Sequence, residues 1–219
     1  MVFTNIEFRS LTDQVYEYLS ELIIEGKIKP GEKLVEKDLS QKISVSRSPL
    51  RECFRILESE GLITIHPRKG AYVTDISTKD VEDVSLVRGT LEALAAKLAV
   101  QNITEKEIAV LNDLVTKMDE AITRGEAKSF YEFNTLFHNI IIKASNNEVL
   151  EKTLKTLRKG IWLRITFLYF YSPLALNLSN GNHKGIVEAF IRKDPVTVGR
   201  LIEEHIDQTK KHVLSHLLV

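Results

Sequence analysis

Three histidines, His138, His183 and His205, fall in three separate stretches that read as helix, and imidazole nitrogen is a favoured donor for divalent transition metals. Asn134 stands four residues before His138, so the two share one helix face. Helices of one bundle can bring such side chains to a single cation. Spacing alone leaves open that each is instead a hydrogen-bonded core or surface histidine. His212 and His216 follow His205 at offsets of seven and eleven, near a helix C-terminus, where the helix dipole or solvent accounts for them. Arg88 lies on an apolar stripe with Val84, Leu91 and Ala95, where a charge without a partner is costly. Its partner is either Glu92, one turn on, or an anion from outside.

A second constellation is basic. Arg47, Arg51 and Arg55 stand four apart, which puts three guanidinium groups on one helix face. Between Lys42 and Arg55 the only acid is Glu52, so the local charge is +3. Guanidinium forks fit phosphate oxygens and the O6/N7 edge of guanine. Ser46 and Ser48, at the start of that helix, can donate to phosphate. A solvated face explains an arginine row by itself. The neighbouring turn His66-Pro67-Arg68-Lys69-Gly70 adds a second basic element and points to duplex DNA.

The elements that must hold these residues divide near residue 76. Residues 26–70 are punctuated by Pro30, Pro49, Pro67, Gly26, Gly31, Gly61 and Gly70, which implies short elements and tight turns. Leu11 to Ile23 carries one helical pattern; Leu34, Val35, Leu39 and Ile43 mark a second, and residues 46–60 a third, with Ser46 or Ser48 as N-cap. The runs 62–65 and 71–74 flank the Pro/Gly turn as a β-hairpin. Three helices and a hairpin describe a winged helix-turn-helix over residues 1–76. Residues 77–219 read as an all-α antiparallel bundle. Its first helix, of about twenty residues, has the stripe Val81, Val84, Leu91, Ala95, Leu98, and further helices span 104–124, 126–145, 147–170, 181–193 and 195–217. Thr104 with Glu107 forms a capping box, and Asp194-Pro195 is a cap with a first-turn proline. Trp162, Phe167 and Tyr169 could line a pocket in the bundle, and ordinary packing is the reading taken for each.

Composition excludes other classes. The 219 residues balance 30 Lys+Arg against 30 Asp+Glu, so the chain is neither a polybasic arm nor an acidic tail. Residues 1–78 carry 11 basic and 12 acidic side chains, so any DNA-binding charge is confined to one face. One cysteine, Cys53, rules out a disulfide framework and fits a reducing compartment. No secretory signal or membrane-length apolar run is present, which gives a cytoplasmic expectation.

The runs Leu11–Tyr16, Gly26–Leu34, Ser46–Glu52, Leu57–Leu62 and Arg68–Val73 resemble the DNA-binding domain of the GntR family of bacterial regulators over about seventy residues. The resemblance implies a homodimer on double-stranded operator DNA. It places Lys37, Ser46, Arg47 and Arg51 at DNA-contacting positions and His66 to Gly70, with Arg68 and Lys69, near the minor groove. Most members have Ala-Leu where this chain has Cys53-Phe54; Cys53 is then a small buried residue, since no second cysteine can resolve its oxidation. Residues 77–219 are similar to the FCD ligand-binding domain of the FadR-type subfamily. That similarity implies a divalent transition metal, zinc or nickel, held by Asn134, His138, His183 and His205. Asn134 departs from the usual Asp, and an amide oxygen is a poorer ligand than a carboxylate. The Val87-Arg88-x-x-Leu91-Glu92 pattern implies that Arg88 binds a small carboxylate effector. The expected protein is therefore a mostly α, homodimeric transcriptional repressor, with no membrane partner and no catalysis. The alternative is a metal-dependent hydrolase or lyase using the three histidines.

Overall fold

The computed structural model describes residues 10–157 and 173–217, and these form two compact units that divide between Ile76 and Ser77. The first unit has helices α1 (Leu11–Ile24), α2 (Glu36–Lys42) and α3 (Arg47–Ser59), with strands β1 (Lys33–Leu34), β2 (Ile63–His66) and β3 (Gly70–Val73). Ser10 caps α1 in a capping box with Asp13. The α1 stripe Val15, Leu19 and Ile23 packs with Leu50, Cys53, Phe54 and Leu57 of α3. Cys53 is fully buried, and burial pushes its thiol pKa up to about 12, so it is inert packing. The sheet is three-stranded, in the order β1-β3-β2, with Thr64 opposite Tyr72 and Leu34 opposite Ala71. The sequence reading anticipated only the hairpin β2–β3 and assigned Leu34 and Val35 to a helix. A two-residue strand is too short to carry a period, and Lys33–Leu34 acquires its conformation from pairing with β3.

The second unit contains α4 (Thr78–Ala99), α5 (Glu105–Arg124), α6 (Ala127–Ala144), α7 (Glu148–Leu157), α8 (Pro173–Ile191) and α9 (Pro195–Leu217). Helices α4, α6, α5, α8 and α9 pack each against the next, and α9 closes on α4, so five helices make a ring. Helix α7 lies against α4 and α6, where Leu150 and Leu154 meet Ala95 and Ile142. The expected helix 147–170 therefore holds as far as Leu157; Trp162, Phe167 and Tyr169 lie outside the described residues. The helix expected at 181–193 starts at Pro173, with Gly181 inside it. Glycine costs a helix interior about 1 kcal/mol, and burial of Ile186, Val187, Ala189 and Phe190 outweighs that. His183 is thus in mid-helix rather than at a helix start.

The helix ends follow local chemistry. Ser77 and Thr104 accept from the backbone of Asp80 and Glu107, whose carboxylates bind back to the cap residues. Asp194 Oδ1 accepts from the amides of Val196 and Thr197. Gly125 ends α5 in the left-handed region at φ 70°. Hydrogen bonds from the Thr104 backbone and hydroxyl lower the Glu107 pKa from the ordinary 4.5. The stability from this cap is therefore complete above that value and disappears as pH falls through the lowered folded value. Thr104→Ala is expected to cost about 1 kcal/mol in urea unfolding at neutral pH. The difference from wild type should shrink in acid, and a constant difference down to pH ~2 would contradict this account of the cap.

A candidate metal centre and a candidate DNA surface

The interior of the five-helix ring is polar at one level. His138 from α6, His183 from α8 and His205 from α9 are at most 5% exposed. One ring nitrogen from each lies within 4.8 Å of the others. Ring centroids are 5.5 Å apart for His138–His183, 5.2 Å for His138–His205 and 4.6 Å for His183–His205. Phe137 packs on His183 at 4.6 Å and helps fix its ring.

The far side of two imidazoles is tied down. Glu92 of α4 sets Oε2 2.8 Å from His138 Nδ1, and its Oε1 accepts from Arg88 Nε at 2.6 Å. Arg88 and Glu92 are 5% and 2% exposed, so the ion pair is effectively dry. On the opposite side, Asn180 of α8 donates to Val115 O at 3.0 Å and to Asp119 Oδ1 at 2.7 Å, both on α5. Those bonds fix its amide orientation and turn its Oδ1 toward His183 Nδ1, 3.4 Å away. Asp119 is neutralised in turn by Lys184 at 2.8 Å. With Nδ1 engaged outward, His138 and His183 are set to present Nε2 inward, as carboxylate- and amide-supported metal ligands do.

The donor set fits a cation. His183 Nε2, His205 Nδ1 and Asn134 Oδ1 are buried with no hydrogen-bond partner in the structure. Burial lowers the pKa of His183 and of His205 well below the ordinary 6.5, with neighbouring histidines adding to the effect. Both rings are therefore neutral bases at physiological pH, the form that ligates metal. Of the expected site residues, Asn134, His138, His183 and His205 are all buried in this unit, whereas His212 is half-buried on α9 outside the three-histidine group. Arg88 pairs with Glu92, as one of the two sequence readings held. Its charge also lies near enough to His205 to lower that pKa further. Asn180 was missed because an amide acting through another residue has no spacing signature.

In the first unit Lys37, Arg47, Ser48, Arg51, His66, Arg68, Lys69 and Gly70 are exposed. Ser46 is the N-cap of α3 and makes no side-chain capping bond, so its hydroxyl is not consumed by the helix. Arg68 turns the wing at φ 64° and Gly70 follows at φ 105°. His66 meets Tyr72 edge-on at 5.5 Å. Lys33, Arg51, Arg55 and Gly70 line one groove between α3 and the sheet. Glu36 of α2, also unforeseen, accepts from Arg51 Nε at 2.9 Å. That contact leaves to Arg51 the two terminal nitrogens used in a bidentate guanine contact.

Residues 11–73 match the model of bacterial regulatory proteins of the gntR family, and residues 83–208 match the FCD domain. The chain belongs to the GntR family. It is 31% identical over 204 residues to YdhC of Bacillus subtilis, an uncharacterized HTH-type transcriptional regulator, covering 93% of this chain and 86% of YdhC. It is 29% identical over 203 residues to the transcriptional repressor RspR of Escherichia coli, covering 93% of this chain and 89% of RspR. The solved structure of E. coli McbR/YncC is similar at a TM-score of 0.76 and 26% identity, over 96% of this chain and all of that one. GntR regulators bind operator DNA and take effector ligands in the FCD domain, a domain associated with metal binding. They are transcriptional regulators and not enzymes, which removes the hydrolase or lyase reading.

The Arg88–Glu92 pair generates a stability prediction. Glu92→Leu takes the carboxylate from a buried guanidinium and should destabilise the protein by about 3–5 kcal/mol. Arg88→Leu combined with Glu92→Leu should recover most of that loss. A double variant as unstable as Glu92→Leu alone, in thermal and urea unfolding, would contradict the pairing as the source of the cost.

Proposed function

We propose that this protein is a homodimeric, cytoplasmic repressor in which residues 1–76 read operator DNA and residues 77–219 hold a metal and a small carboxylate effector. The observation that carries the reading is the convergence of three buried imidazoles, with the outward nitrogens of two already engaged. Asn134, His138, His183 and His205 hold the cation, zinc or nickel by the preference of those metals for imidazole nitrogen. The cation, when bound, supplies a positive centre that accepts a carboxylate oxygen. Arg88 supplies the second positive charge, and Glu92 divides its two oxygens between Arg88 and His138. No helix among the described residues is long and apolar enough to cross a membrane.

In the first unit Arg51 and Arg47 face base edges from α3, Lys37, Ser46 and Ser48 bind phosphate, and His66, Arg68, Lys69 and Gly70 form the wing contact in the minor groove. Two copies satisfy a two-fold operator. The effector acts to the extent that it binds one arrangement of the dimer more tightly than the other.

Duplexes enriched from a randomised pool provide the test on DNA. Arg51→Ala should lose about 1–3 kcal/mol and relax preference at one base position. Lys37→Ala should weaken all duplexes alike and reduce the salt slope by about 0.9. Wild-type affinity and selectivity in both variants would refute the surface. Zinc titration by calorimetry tests the other half: one site per chain is expected, lost in His183→Ala and His205→Ala. No saturable zinc or nickel binding by the wild type would refute the metal centre.

A further inference from the structure

Two buried hydroxyls in the second unit are unused by the fold. Ser85 of α4 and Ser179 of α8 are 3% and 1% exposed, and neither Oγ has a hydrogen-bond partner in the structure. A serine or threonine inside a helix ordinarily avoids this by donating to a carbonyl one turn back. Thr90, Thr116, Thr123, Ser145, Thr209 and Ser215 all do so here. Ser145 is buried as well, so burial alone does not prevent the bond. A buried hydroxyl left unpaired bears its full desolvation penalty, whereas alanine at the same position bears none.

The ring brings the two serines to one level. Ser85 shares the inward face of α4 with Arg88 and Glu92, and Ser179 stands one turn before His183 on α8. Helix α9 packs against both α4 and α8 and runs antiparallel to each. On one side Gly89 faces Ile206 and Gly199 meets Lys97; on the other, Gly185 faces Leu201 and Asn182 bonds to Gln208. Counting down α4 and α8 is therefore counting up α9. Ser85, Ser179 and Thr209 share a level that is displaced from the histidines by about 6 Å, four residues of helical rise. Thr209 donates to His205 O and keeps its own oxygen as an acceptor. A hydroxyl is both donor and acceptor and carries no charge. An anionic group here would call for cations, and an apolar one for aliphatic or aromatic side chains. The ligand group that suits both serines is another hydroxyl.

We propose that Ser85 and Ser179 form a neutral hydrogen-bonding subsite, one turn from the three histidines, that reads a hydroxyl on the bound small molecule and rejects an apolar chain in its place. The inference rests on the effector reading above and adds the residues that set selectivity. Rejection is the stronger half, because an apolar chain leaves both serines buried and unpaired beside it.

Acids matched in carbon chain test this by calorimetry on the full-length protein, with and without added zinc: threonate against butyrate, and ribonate against pentanoate. The wild type should prefer the hydroxylated acid of at least one pair by about tenfold or more. Ser85→Ala and Ser179→Ala should each weaken that acid by about 2- to 10-fold and leave its apolar counterpart unweakened. The same substitutions should raise the melting temperature of the ligand-free protein by about 2–4 °C, since each removes an unpaired polar group. A purely structural role does not give opposite signs on binding and stability. Ser145→Ala, which removes a hydroxyl already bonded to Ile142 O, should leave the selectivity at its wild-type value. Unaltered selectivity in the Ser85→Ala, Ser179→Ala double variant would overturn the subsite. A loss of stability in either ligand-free single variant would also overturn it, by assigning the hydroxyls to the fold. Wild-type protein that binds butyrate and pentanoate as well as their hydroxylated partners would refute the subsite and leave the effector reading standing. Wild-type protein that binds none of the four acids would refute both.

Discussion

The second unit is organised around one constraint: three imidazoles and an ion pair lie inside a closed ring of helices, where each polar atom needs a partner. Helix α4 gives Arg88 and Glu92, α5 gives Val115 O and Asp119, α6 gives Asn134 and His138, α8 gives Asn180 and His183, and α9 gives His205. Every helix of the ring is thus bound to the centre by a polar contact or a buried donor. An all-apolar ring would slide and repack; this one has a preferred register, since a one-residue shift of α4 would take Glu92 off His138. The cost is that His183 Nε2, His205 Nδ1 and Asn134 Oδ1 remain unsatisfied by the protein. Such atoms are rare inside native proteins, and they are the donors that the proposed cation would engage.

The first unit solves a different electrostatic problem. Its net charge is close to zero by count, and yet Arg47, Arg51 and Arg55 line the exposed side of α3. Glu36 sits against Arg51 and holds its guanidinium by Nε, so this acid orients the cation while offsetting part of its charge. At a screening length of ~8–10 Å the potential near that face reflects its own charges and not the total. A neutral chain that binds DNA is then no contradiction.

Much of this organisation was legible in the residues. Capping boxes at Thr104 and the Asp194-Pro195 step marked helix starts because both are strictly local chemistry. The winged helix-turn-helix was legible because Gly and Pro punctuate it. What was hidden is tertiary. The buried residues of α4 are Val81, Ser85, Arg88, Gly89, Glu92, Ala93, Ala95, Ala96 and Ala99; the apolar stripe in the sequence shares Val81 and Ala95 with them, whereas its Val84, Leu91 and Leu98 are half-buried. Arg88 and Glu92 sit on this inner face, and sequence left open whether they pair with each other. The start of α8 was misplaced for a related reason: Gly181 reads as a break, whereas packing carries the helix through it. Histidine spacing suggested the centre, but the supporting amide of Asn180 and the ring closure of α9 on α4 appear only in three dimensions.

The central claim is that His138, His183 and His205 share one metal ion. X-ray absorption at the zinc or nickel edge, on protein purified without chelator, tests it most directly. The account predicts one metal per chain, with three imidazole nitrogens at about 2.0–2.1 Å for zinc and the remaining positions filled by oxygen. A first shell made only of oxygen, or no metal edge in protein reconstituted with either ion, would contradict it.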